Sequence, residues 1–178
     1  MIVQANAKVN FTLEVLGVRA DGYHDLRSVV VPVSLADTLE IIPSQNTSLT
    51  IKDDNGFLSK CNCEGENNLI IKAVRLMQQK FGKNDEVSIK LEKKIPCGGG
   101  LGGGSSDAAA TIKALNKLWD INAPIEELIE IGAELGSDIP ALILGGIVLM
   151  EGRGERVTPI KIEKPYSYSL ILTNPGVF

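Results

Sequence analysis

The chain has 178 residues, of which 44% are hydrophobic and 22% charged, and its net charge is −4. This length supports one domain with a sizeable core, and the composition is that of a globular chain rather than a disordered one. The acidic balance excludes the basic face of a nucleic-acid binder and leaves a small molecule or a protein as partner.

Cys61, Cys63 and Cys97, with the lone His24, are too few and too poorly spaced for a disulfide framework or a closed zinc site, and point to a reducing compartment. No basic segment followed by an apolar run opens the chain. The longest apolar stretch, Ile139 to Met150, is interrupted by Gly145 and Gly146 and falls short of the ~20 residues a membrane span needs. A soluble, cytoplasmic protein without a membrane partner is expected.

From Val3 to Val15 the odd positions are apolar and the even ones polar, the period of a long strand with one buried face. Asn6, Lys8 and Asn10 then share the opposite face, which either meets water or belongs to a site. The Asp-Gly of Arg19 to His24 marks a turn. Ser28 to Ser34, Asp37 to Ile42 and Ser48 to Ile51 read as three further strands, and Asp53 to Glu66 as an exposed loop. Asn67 is the expected N-cap of a helix whose apolar positions run from Ile70 to Phe81, with Gly82 as its stop. Val87, Ile89 and Leu91 alternate as a strand. Ser105 to Trp119 has helical spacing, and Pro124 opens a third helix with Ile125, Leu128 and Ile129 facing inward and Gly136 ending it. Ser137 and Asp138 can cap a short helix over Ile139 to Leu144. Ile147 to Met150, Arg156 to Ile160 and Tyr168 to Thr173 complete the expected strands. Without regular βαβ alternation, the order predicts an α+β fold.

The chemistry concentrates at Pro96-Cys97-Gly98-Gly99-Gly100-Leu101-Gly102-Gly103-Gly104-Ser105-Ser106. Glycines let backbone N–H groups approach a ligand closely. A helix start directly after them adds unpaired donors and the positive end of a dipole, a combination suited to phosphate. The hydroxyls of Ser105 or Ser106 can meet a phosphate oxygen or help hold Mg²⁺. The loop lacks the Gly-Lys-Ser/Thr of a Walker A motif, and no acidic strand follows where a dinucleotide fold needs one. The alternative is a flexible connector. Asp138, in Leu-Gly-Ser-Asp-Ile-Pro, is either a plain N-cap or a functional carboxylate. Lys93 and Lys94, just before the loop, either attract phosphates or are solvated strand-end lysines.

Three separated motifs, Ala7-Lys-Val-Asn10 with Arg19-Ala-Asp-Gly-Tyr-His24, Pro96 to Ala109, and Leu135 to Pro140 followed by Gly145-Gly146, resemble the GHMP kinase superfamily. Within it they are similar to the kinases that phosphorylate 4-diphosphocytidyl-2-C-methyl-D-erythritol in non-mevalonate isoprenoid precursor synthesis. The resemblance implies the superfamily's N-terminal domain (ribosomal protein S5 domain 2-like), a mixed or antiparallel sheet with helices on one side. It implies ATP on the Pro96 to Ser106 loop, accompanied by Mg²⁺. Asp138 would be the general base and Lys8 its charge partner, with Asn10 orienting the substrate hydroxyl. Tyr23 and His24 would recognise the cytidine part, with Lys93 close to it. Residues 1–160 are expected to form the ATP-binding domain and 161–178 to begin a C-terminal domain whose remainder the chain lacks. Another small-molecule kinase of the superfamily, or a nucleotide-binding module without turnover, are the alternatives.

Overall fold

A computed structural model describes residues 1–57, 65–163 and 167–171. Strands β1 (Ile2–Val18) and β2 (His24–Ser44) form a long antiparallel ribbon whose register runs from Ile2 opposite Glu40 to Val18 opposite His24. The turn between them closes where expected. Arg19 N–H donates to the Tyr23 carbonyl at 2.7 Å, Asp21 Oδ1 accepts from Tyr23 N–H at 3.1 Å, and Gly22 takes a φ of 82° that favours glycine.

The two strands expected over Ser28–Ser34 and Asp37–Ile42 are one strand, β2, carrying a bulge. Asn6 pairs with Ala36 but Lys8 with Pro32, so Val33 to Leu35 lie opposite the single residue Ala7. A proline cannot donate to the ladder, which suits it to such an irregular position. β2 changes neighbours along its length. Thr38–Ser44 pairs with β4 (Glu86–Glu92), and Leu26–Val30 pairs with β5 (Val148–Gly152). Parallel pairing of β3 (Ser48–Lys52) with β4 and antiparallel pairing of β6 (Arg156–Pro159) with β5 complete a mixed sheet of order β3-β4-β2-β5-β6, with β1 on β2.

Alternation sets which sheet face is covered. Leu39 and Ile41 of β2 and Val87, Ile89 and Leu91 of β4 are buried, whereas Ile42 and Lys90 between and beside them are exposed. Against that inner face pack α1 (Leu69–Phe81), α2 (Gly103–Leu118), α3 (Ile125–Leu135) and α4 (Ile139–Leu144). Ile70, Val74 and Met77 of α1 and Ile112 and Leu115 of α2 are fully buried there. Each such side chain contributes roughly 1.5–3 kcal/mol. The result is the expected α+β fold.

Several local expectations shift. The N-cap of α1 is Asn68, whose side chain accepts from Ile70 N–H at 2.9 Å, while Asn67 ends a short 3-10 turn over Gly65–Asn67. Gly82 ends α1 as expected, with a φ of 59°. α2 starts at Gly103, two residues before Ser105, inside the glycine run. Ile125 is exposed, and the inward set of α3 is Leu128, Ile131 and Gly132 with Ile129 half-buried. The apolar face of β1 is buried only at Ala5 and Ala7; Phe11, Leu13 and Val15 are 70%, 58% and 62% exposed because no core cluster among the described residues reaches them. Residues 167–171 carry no strand. Thr173, Cys61 and Cys63 lie outside the described residues. Among the described residues no helix is long and apolar enough to cross a membrane.

Candidate active site

The loop between β4 and α2 turns on alternate glycines. Gly98, Gly100 and Gly102 take φ values of 75°, 71° and 69°, which other residues reach only with strain. Leu101 is buried with Ala7 and Ile95 and pins the middle of the loop. Its carbonyl accepts from Lys8 N–H at 3.0 Å, tying the loop to β1. Gly102 is the N-cap of α2 and offers no side-chain cap, so the first-turn amides of the helix are left for a ligand. The two serines divide. Ser106 is buried, and its hydroxyl donates to the Asn6 carbonyl at 2.6 Å. Ser105 lines a cavity of about 380 Å³ together with the loop from Pro96 to Gly104.

Lys8 and Asp138 border the same cavity. Lys8 is only 5% exposed, and its Nζ donates to Asn10 Oδ1 at 2.7 Å and pairs with Asp138 Oδ2 at 3.2 Å. Asn10 is itself fixed, since its Nδ2 donates to Ser28 Oγ at 2.6 Å and that hydroxyl donates to the Thr12 carbonyl at 2.6 Å. Asp138 stands at the N-cap position of α4 in helical backbone conformation and makes no capping bond. Its carboxylate is turned to Lys8 instead, so the plain N-cap alternative does not describe it. The Asn6, Lys8, Asn10 face of β1 is likewise no simple water face: Lys8 is buried and Asn10 half-buried. A second cavity of about 420 Å³ lies beside Lys8, lined by Asn6, Ser106, Lys113 and Gly145 among others.

Tyr23 and His24 are exposed at the tip of the β1–β2 ribbon, and neither lines the two cavities that Lys8 borders. The guanidinium of Arg153 lies 5.4 Å from the centre of the Tyr23 ring, within cation–π range, and Arg153 Nη2 donates to the Ala133 carbonyl at 3.2 Å. Beside it, Gly154 packs so tightly on the Ser137 carbonyl that a Cβ has no room. The ribbon tip and the segment before Asp138 thus share the β5–β6 turn.

Of the two alternatives for Lys94, its exposed side chain, 3.5 Å from Glu92, fits the solvated strand-end lysine. Lys93 does not. It is 4% exposed, and its Nζ donates to Asp107 Oδ2 at 3.0 Å and to Asp37 Oδ2. Neither aspartate stands out in the sequence. Burial opposes the charge on Lys93, but Asp107 and Asp37 outweigh it and raise its pKa above the ordinary lysine value. Burial, reinforced by Asp37 and opposed by Lys93, pushes the Asp107 carboxyl up to about 7.

Residues 68–146 match the family of GHMP kinases N terminal domains. The chain is 41% identical over 177 residues to 4-diphosphocytidyl-2-C-methyl-D-erythritol kinase of Bacillus cereus (strain B4264), covering 99% of this chain and 59% of the relative. It is 42% identical over 180 residues to the protein of the same name from Bacillus anthracis, covering 100% of this chain and 60% of that one. A crystal structure of 4-(cytidine 5'-diphospho)-2C-methyl-D-erythritol kinase superposes with a TM-score of 0.72 at 38% identity, over 90% of this chain and 55% of that one. The chain therefore spans about 60% of the length of the curated relatives it matches. It has the fold of the GHMP kinase N-terminal domain and is, along its whole length, a homologue of the 4-diphosphocytidyl-2-C-methyl-D-erythritol kinases.

Proposed function

We propose that this chain supplies the ATP site and the catalytic pair of a kinase that transfers the γ-phosphoryl group of ATP to the 2-hydroxyl of 4-diphosphocytidyl-2-C-methyl-D-erythritol. The observation that carries this is the 3.2 Å pair of Lys8 and Asp138 on the border of the glycine-lined cavity. Residues 1–160 form the ATP-binding domain on this reading, with 161–178 leading into the part found in the longer relatives.

The loop fits a chain of phosphates. Three left-handed glycines open its backbone, a Cβ at Gly98 or Gly100 would meet nothing within 4 Å, and the α2 amides lack a cap. Pro96 to Ser105 would hold the nucleotide, with Ser106 anchoring the helix to β1. Among the described residues no cluster of three or more His, Cys, Asp or Glu could hold a metal on its own. Mg²⁺ would therefore arrive with the nucleotide, near Ser105, and supply charge neutralisation on the phosphates.

Asp138 takes the proton of the acceptor hydroxyl as that oxygen bonds to the γ-phosphorus and the bond to ADP breaks. Lys8 orients Asp138 and balances charge beside it, and Asn10 fixes the direction of the Lys8 ammonium. Phosphoryl transfer rests mostly on positioning and electrostatics, so these few groups are enough. Tyr23 and His24 recognise the cytidine end. The 41% identity to named kinases of this substrate supports the choice of acceptor.

The test is ADP release by the purified protein with and without this acceptor. Turnover that depends on it supports the proposal. ATP turnover with mevalonate or a sugar but not with this acceptor overturns the substrate assignment, and ATP binding without turnover on any of them leaves a nucleotide-binding module.

A further inference from the structure

Asp37, Lys93 and Asp107 are ionisable yet only 0%, 4% and 3% exposed. They come from β2, from the residue after β4, and from the second turn of α2. Lys93 Nζ bridges the two carboxylates. The other oxygen of Asp37, Oδ1, accepts from the backbone amides of Lys94 and Ile95 at 2.5 and 2.8 Å. Those two residues lead into Pro96, and Asp107 lies on the helix that leaves the loop. One buried cluster therefore grips both ends of the glycine loop: Asp37 holds the entry, Asp107 the exit, and Lys93 joins them.

Gly103 shows how close this grip is. A Cβ there would lie 2.9 Å from Lys93 Nζ and 3.0 Å from Ile95 Cγ2. Its backbone is helical, so glycine is required by the closeness of the lysine and not by conformation. The first residue of α2 rests directly on the cluster.

Stability does not account for the arrangement. Two carboxylates share one ammonium, and Asp107 Oδ1 is buried with no hydrogen-bond partner among the described residues. Replacing buried ionic groups by apolar ones is often neutral or stabilising. What charged hydrogen bonds add is direction, since apolar contacts slide and these do not. Lys93 has both carboxylates on it and helix backbone above it, which commits its ammonium to the fold.

Resting on the reading that the loop holds the nucleotide phosphates, we propose that Asp37, Lys93 and Asp107 are positioning residues. They set the spacing of the loop's two ends and the rotation of α2, so that its first-turn amides stand in phosphate-binding geometry. Lys93 and Asp107 also border the cavity that the loop lines, but their paired polar atoms are turned to each other inside the fold.

The deciding variant is Lys93→Met with Asp107→Asn, which removes one positive and one negative charge and leaves Asp37 its two amides. Three quantities are measured: amide hydrogen exchange, the calorimetric affinity for the non-hydrolysable ATP analogue AMPPNP, and that for adenosine. Exchange at Gly103 to Ser106 should rise at least about tenfold while that of Val74 to Met77 in α1 stays unchanged. AMPPNP should bind at least about tenfold more weakly, with adenosine unaffected. Asp107→Asn alone keeps an acceptor for Lys93 and should stay near wild type. Wild-type exchange in the double variant overturns the proposal, as does faster exchange with unchanged AMPPNP affinity. If the double variant does not fold, Asp107→Leu, which keeps the Asp37–Lys93 pair, replaces it with the same expected and overturning results. A wild-type protein that binds no AMPPNP defeats the kinase reading, and the exchange measurement then decides the positioning role by itself.

Discussion

The backbone amide of Lys8 donates to the carbonyl of Leu101 at 3.0 Å, so the strand that carries the ammonium and the loop beside it form one hydrogen-bonded unit. The side chain of Lys8 then runs under Gly102 before reaching Asp138. Anything that moves the loop at this point moves the charge partner of Asp138 as well.

Gly102→Ala tests this coupling. Residue 102 has a φ of 69°, and a Cβ would lie 3.0 Å from Lys8 Cε. The left-handed backbone alone costs roughly 1–2 kcal/mol for a non-glycine residue. We expect a stability loss of that order and a fall in kcat of at least about tenfold, since the lysine is displaced too. Gly98→Ala has a φ of 75° but open space around it. It should lose similar stability and, lying in the proposed nucleotide loop, raise the KM for ATP while keeping most of its kcat. Chemical denaturation and steady-state kinetics on both variants check the contrast.

Asp138→Asn removes the proposed base without removing a cap, because Asp138 makes no capping bond. General-base removal typically costs about 10²–10⁴ in rate. We expect a kcat loss in that range with AMPPNP affinity within about threefold of wild type. Lys8→Met should also cut kcat steeply, and the double variant should be little worse than the worse single one, since paired groups act as a unit. Fully additive losses would show that the two residues act separately.

Asp107 gives stability a pH dependence of unusual sign for a carboxylate. Its pKa is about 7 in the folded chain against 3.8 as the reference value. Between those values the folded state holds a proton that the unfolded state has lost, so stability falls as pH rises through this window and levels off above it. Going from pH 5 to pH 8, the contribution lost is on the order of 3 kcal/mol. Asp107→Asn should remove this slope. The check is the difference in unfolding free energy between wild type and variant at the two pH values, with wild type relatively more stable at pH 5.

Gly154→Ala should affect the site from a distance. The residue has a φ of 124° and sits against the carbonyl of Ser137, next to Asp138. A methyl group there displaces either the β5–β6 turn or the Ser137–Asp138 segment. We expect both a clear drop in melting temperature and a loss of kcat, whereas Arg153→Ala should cost about 1–3 kcal/mol through the lost contact with Tyr23 and the lost bond to the Ala133 carbonyl. Thermal melts of the two variants separate these effects.

Local pattern determined much of this protein. Period-two alternation specifies β1 and β4, helical spacing specifies α1 and α2, and the glycine run followed by serines marks a loop that enters a helix. These signals are legible because each depends on neighbours a few residues apart. Lys8 and Asn10 on one strand face follow from the same alternation. Tertiary structure decided the remainder, because it depends on pairs far apart in the chain. Only folding brings Asp138 to 3.2 Å from Lys8, 130 positions earlier, and turns it from a helix cap into a partner. Only folding buries Lys93 between Asp37 and Asp107, since solvation is lost when β2, β4 and α2 close on one another and no local pattern records that closure. The merging of two expected strands into β2 has the same origin: its bulge exists because β1 lies opposite.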